Sequence, residues 1–154
     1  MVRQAAGEVE VEEAVGNMTL KIYTDGGAKG NPGPASIGMV FYVDDKDIFR
    51  YREDIGIATN NVAEYSAVIT AMSKLIRQLT DQMSELENIV KIEFYSDSRL
   101  LVNQVNGLFK VKNAKIREFI FKIRTLEQEI KLPISYHLIP REKNRVADRL
   151  VNGG

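Results

Sequence analysis

LKIYTDGGAKGNPGPASIGMVFYVDDKDIFRYREDIGI, residues 20–57, decides the fold. Leu20 to Thr24 alternates apolar with polar or amphipathic side chains, the period of a half-buried strand, and then meets Asp25-Gly26-Gly27, which reads as a tight loop. Ile37 to Val43 is rich in β-branched and aromatic residues, Asp44 to Asp47 forms a turn, and Ile48 to Ile57 returns as the second arm of a hairpin. The stretch therefore predicts three strands in an antiparallel meander.

Beyond Ile57 the period changes from that of a strand to that of a helix. Thr59 or Asn60 is suited to cap a helix, and Ala63, Ala67, Val68, Ala71, Met72, Leu75, Ile76 and Leu79 recur at helical spacing. Val90 to Tyr95 reads as a strand, Ser98 to Asn106 as a short helix closed by Gly107, and Lys115 to Lys131 as a long amphipathic helix ended by Pro133. Ile134 to Ile139 is a last strand and Arg145 to Val151 a terminal helix. The order βββαβααβα joins a meander to crossover connections, so we expect an α/β fold: a five-stranded mixed sheet with helices packed on its faces.

The 154 residues suit one domain with a core of its own, expected over residues 18–154. Residues 1–17 carry Glu8, Glu10, Glu12 and Glu13 against Arg3, with Gly7 and Gly16 as breaks, and read as a flexible tail whose VEVE alternation allows a short strand. The absence of cysteine excludes a thiol nucleophile, a disulfide framework and sulfur-ligated zinc. Net charge is zero, so bulk electrostatics announce no polyanion, although the body beyond the acidic start is mildly basic. No apolar run approaches the ~18 residues of a membrane span, and no secretory signal opens the chain, so a soluble cytoplasmic protein is expected.

Four carboxylates sit in local sequences that a mere surface charge would not need: Asp25, Glu64, Asp97 and Asp148. Positions 64, 68, 71 and 75 form one helical stripe on which Glu64 heads Val68, Ala71 and Leu75, so this acid points toward the core side. Asp25 and Asp97 each stand near the C-terminal end of a predicted strand, the edge at which open α/β sheets bind ligands. Asp148 lies near the start of the last helix. Each alone is explained by a turn, a cap or the helix dipole. Together they form a hard, oxygen-only set suited to divalent cations and phosphate chemistry.

YTDGGAKGNPGPASIG, TNNVAEY, FYSDSRLLVNQVNG and PREKNRVADRLV, in this order and on these elements, resemble the type 1 ribonuclease H family, from about Leu20 to Val151. The resemblance implies a ribonuclease H-like sheet of order 3-2-1-4-5 with its first three strands antiparallel and helices on both faces. It implies an endonuclease that hydrolyses the RNA strand of an RNA/DNA hybrid with two Mg²⁺ ions, Mn²⁺ as substitute, leaving 5′-phosphate and 3′-hydroxyl ends. By motif, Asp25 bridges both ions, Asp148 holds the ion that binds the water, and Glu64 and Asp97 hold the other. The 2′-hydroxyl is read by the backbone of Gly26, Gly27, Ala28, Lys29 and Gly30 together with Glu64. Asn31 and Asn61 contact the strands near the site, and Thr59 and Asn60 the DNA phosphate. The implied form is a monomer with no membrane partner.

Three departures from the family pattern stand out. Arg141 occupies the neighbourhood where many members carry a mobile His; being always charged, it suits electrostatic help to phosphate or product release rather than proton transfer. Arg99 replaces a frequent substrate-contacting Gln. The connection NGLFKVKNAK lacks an inserted basic helix, for which Lys110, Lys112 and Lys115 beside Phe109 are a partial substitute or simply a solvated cluster. His137, the only histidine, has no His or Cys near it in sequence and reads as structural. Two alternatives accompany the hybrid-cleaving reading: a lapsed nucleic-acid-binding module, and a related nuclease that also cuts double-stranded RNA.

Overall fold

A computed structural model describes residues 16–153, so the tail expected over residues 1–17, with its possible short strand, lies outside the described residues except for its last two. The chain runs β1 (Met18–Ala28), β2 (Gly33–Val43), β3 (Lys46–Ala58), α1 (Asn60–Thr80), β4 (Ile89–Ser96), α2 (Arg99–Val105), α3 (Ala114–Ile130), β5 (Ile134–Leu138) and α4 (Arg145–Gly153). Two short 3₁₀ turns, Ser84–Leu86 and Arg141–Lys143, had no forecast in the sequence. The sheet order is β3-β2-β1-β4-β5. β1 pairs antiparallel with β2 and β2 with β3, whereas β4 lies parallel to both β1 and β5.

The β2–β3 hairpin turns at Asp44 and Asp45, whose φ values of 52° and 62° match the twist of the flanking strands, as two-residue hairpin turns require. One boundary departs from expectation. β1 does not end in a loop at Asp25-Gly26-Gly27; Gly26, Gly27 and Ala28 stay paired with Ile37, Ser36 and Ala35. The antiparallel partner supplies ladder hydrogen bonds through Ala28, and the chain reverses over residues 29–32 instead. Gly26 serves close approach rather than turning: a Cβ there would stand 2.3 Å from the carbonyl of Ala63 on α1.

Strand alternation splits β1 between two layers. Leu20, Ile22 and Gly26 face the layer of α1, where Ala67, Val68, Ala71, Met72 and Leu75 join Ile123, Leu126 and Ile130 of α3 in the main hydrophobic core. The opposite face carries Tyr23, Asp25 and Gly27. α4 lies against it, so closely that a Cβ on Gly38 would stand 2.9 Å from both the Ala147 carbonyl oxygen and Leu150 Cβ. Helices therefore cover both faces. His137 is a sheet-surface residue, its ring stacked 5.1 Å from Tyr95 and its Nε2 2.7 Å from Ser135 Oγ.

Candidate active site

β1 and β4 lie side by side and parallel, with Tyr23 level with Tyr95. Two residues further on, Asp25 in β1 and Asp97 just past the end of β4 therefore come to the same edge of the sheet. Glu64 reaches them from the first turns of α1. Its Oε1 accepts the Gly26 N–H at 3.1 Å, and the absence of a side chain at Gly26 lets α1 come close enough for that bond. Carboxylate oxygens of Asp25, Glu64 and Asp97 all lie within 4.8 Å of one another.

Such a cluster is electrostatically unfavourable by itself. Asp25, only 7% exposed, has its pKa pushed up to about 7, by burial first and then by the charges of Asp97 and Asp148. Burial also raises Glu64 well above the usual carboxylate range, reinforced by Asp25 and Asp97 and opposed by the Gly26 N–H and Arg141. Asp97 is raised by burial, against the pull of Arg141 and a hydrogen bond from the Asn144 side chain. Three half-buried to buried acids held upward by desolvation and mutual repulsion make a set that a small, hard dication would relieve. The all-oxygen donor set fits a hard divalent cation.

Asp148 stands outside this tight trio, on the first turn of α4, yet it lines the same groove of about 620 Å³ and is near enough to act on Asp25. Arg141 Nη2 lies 3.5 Å from Asp148 Oδ1. Gly26, Gly27, Ala28, Lys29, Asn60 and Arg141 also line the groove. Gly30, Asn31, Thr59, Asn61 and Arg99 are not among its lining residues. Several of these polar side chains hold the site's frame: Thr59 Oγ1 caps α1 by accepting from Val62 N–H at 3.1 Å, Asn31 Oδ1 accepts from Asn60 N–H, and Asn60 Oδ1 accepts from Ala28 N–H. Arg99 is exposed on the first turn of α2.

A family model for RNase H matches residues 17–154. The chain belongs to the RNase H family. It is 41% identical, with a TM-score of 0.77, to the structure of LC11-RNase H1 from a compost metagenome in complex with RNA/DNA hybrid, covering 86% of this chain and 94% of that one. It is 34% identical over 131 residues to Ribonuclease HI of Halobacterium salinarum, covering 84% of this chain and 61% of that protein. A bifunctional protein of Mycobacterium tuberculosis is 34% identical over 137 residues, of which the chain spans 35% of the length. The sheet order and helix layers expected of an RNase H fold are those found here.

Other groove residues carried no signal in the sequence. Arg52 and Asp54 of β3, Ser36 of β2 and Asn152 of α4 line the groove. Arg52 and Asp54 stand in an edge strand of mixed charges, where ordinary surface residues look the same. Asn144 is 1% exposed and donates to the Thr24 carbonyl at 2.9 Å. Its place four residues before Asp148 was the one available hint, as a candidate helix cap.

Proposed function

We propose that this chain is an endoribonuclease that hydrolyses the RNA strand of RNA/DNA hybrids, using two divalent cations, Mg²⁺ with Mn²⁺ as substitute, and leaving 5′-phosphate and 3′-hydroxyl ends. The observation that carries this reading is the convergence of Asp25, Glu64 and Asp97 within 4.8 Å of one another in the wall of one groove. Family membership and the hybrid-bound state of LC11-RNase H1 support the choice of substrate.

Asp25, central to the cluster, would bridge the cations, with Glu64 and Asp97 on one side and Asp148 on the other. Bound there, such cations acidify the attacking water and offset charge on the leaving 3′ oxygen. The protein's own part is orientation. Gly26 N–H fixes one oxygen of Glu64. Arg141, whose side chain is 77% exposed beside Asp148, adds a permanent positive charge at the groove mouth, where it assists phosphate binding and product departure. Glu64 and the backbone around residues 26–30 read the 2′-hydroxyl, the group that tells RNA from DNA.

In this reading residues 18–154 act as one catalytic domain, monomeric and cytoplasmic. Among the described residues no helix is long and apolar enough to cross a membrane.

End-labelled RNA/DNA, RNA/RNA and DNA/DNA duplexes incubated with Mg²⁺ test the proposal. The hybrid should be cut in its RNA strand, with 5′-phosphate ends and no cleavage in EDTA. Equal cleavage of DNA/DNA, or an intact hybrid at every Mg²⁺ concentration, would refute it. Comparable cutting of RNA/RNA would assign the broader specificity.

A further inference from the structure

α4 spans Arg145–Gly153, nine residues, shorter than a helix that persists by itself in water. Asp148 nevertheless has to be held in register with Asp25 on another element. The helix is tied to the sheet at both ends by side chains outside the four carboxylates. At its start, Asn144 Nδ2 donates to the Thr24 carbonyl at 2.9 Å, while the Asn144 carbonyl accepts Asp148 N–H at 3.0 Å. At its end, Ser36 Oγ donates to the Val151 carbonyl at 2.8 Å and Arg52 Nε donates to the Leu150 carbonyl at 2.7 Å. Last-turn carbonyls have no partner within a helix, so these two bonds satisfy groups the helix cannot satisfy itself.

We propose that Arg52, with Ser36, is a clamp on the C-terminal turn of α4 that fixes Asp148, making Arg52 a positioning residue rather than a group that touches substrate. Its geometry supports this role. The guanidinium is 31% exposed, its Nε–H is directed at Leu150, and its Nη2 is paired with Asp54 Oδ1 at 2.9 Å. A planar fork can serve two acceptors in fixed directions, which the single-point ammonium of lysine cannot reproduce. The inference rests on the hybrid-cleaving reading for its kinetic consequence, while the order of α4 is independent of it.

Arg52→Lys, Arg52→Met and Ser36→Ala test the clamp, with Asp54→Asn as the comparison that leaves the Nε bond in place. Hydrogen exchange in the metal-free proteins should quicken about tenfold across residues 145–153 in both Arg52 variants, the change one ordinary hydrogen bond sustains. Exchange in β1 and β4 should stay as in the wild type. Mn²⁺ binding followed by electron paramagnetic resonance should weaken severalfold, and kcat on the hybrid should fall with KM little changed. Ser36→Ala removes only one hydroxyl, so it keeps the question answerable if an Arg52 variant fails to fold; it should shift exchange in the same direction. Wild-type exchange in α4 of Arg52→Lys, or a rise confined to KM that lysine restores, would overturn the clamp in favour of simple phosphate attraction. Should the wild type leave hybrid uncut, the functional reading falls, and exchange and Mn²⁺ binding still decide the clamp.

Discussion

Asp25 illustrates how one side chain is made unstable in order to be useful. Its carboxyl is buried beside Asp97 and Asp148, and its pKa of about 7 is the consequence. Asp25→Asn removes the charge and keeps the shape. Turnover on hybrid should drop by roughly a thousandfold or more if Asp25 is the proposed bridge between the cations. Metal-free Asp25→Asn should also melt several degrees higher than the wild type at pH 8, about what 1–2 kcal/mol produces in a domain of this size. Calorimetry in EDTA measures it, and an unchanged or lower melting temperature would contradict the burial argument. Asp25, Glu64 and Asp97 were legible as candidates because each stands in a local sequence motif. Arg52 and Ser36 were not, since a hydrogen bond to a helix some 100 residues away leaves no local pattern.

At the scale of elements, the β1–α1 contact sets the position of Glu64. Gly26→Ala would put a methyl 2.3 Å from the Ala63 carbonyl, so α1 must move away and the Gly26 to Glu64 bond must break. A loss of about 2–3 kcal/mol in urea unfolding is expected, with weaker metal binding, from overpacking against helix backbone rather than a flexible side chain. Thr59→Ala removes the α1 cap bond to Val62 N–H and should cost about 1 kcal/mol by the same measurement. Periodicity disclosed α1, and the stripe through Val68, Ala71 and Leu75 is buried as spacing implied. Periodicity misjudged the end of β1, because a glycine pair looks like a loop whether it turns the chain or admits a neighbouring helix.

Across the whole molecule, the acid cluster couples stability to pH and to cations. The folded pKa values of Asp25, Glu64 and Asp97 are raised, so their contribution favours the folded state below the usual carboxylate range. It is lost as pH climbs, through about 7 for Asp25. The melting-temperature gap between Asp25→Asn and wild type in EDTA should therefore widen from pH 4 to pH 8. Millimolar Mg²⁺ should narrow it at pH 8 and act weakly at pH 5, where protons compete for the same oxygens. Differential scanning fluorimetry across that range checks the prediction; a gap independent of pH would refute it.

The sequence alone determined the strand and helix order, the sheet topology through its family motifs, and the identity of the acids, because periodicity and motif are local and each residue carries them by itself. Tertiary structure decided which acids share one cluster, in which direction their pKa values move, where β1 ends, and what fastens α4. Distance, desolvation and hydrogen bonds between remote segments exist only once the sheet and both helical layers have closed around them.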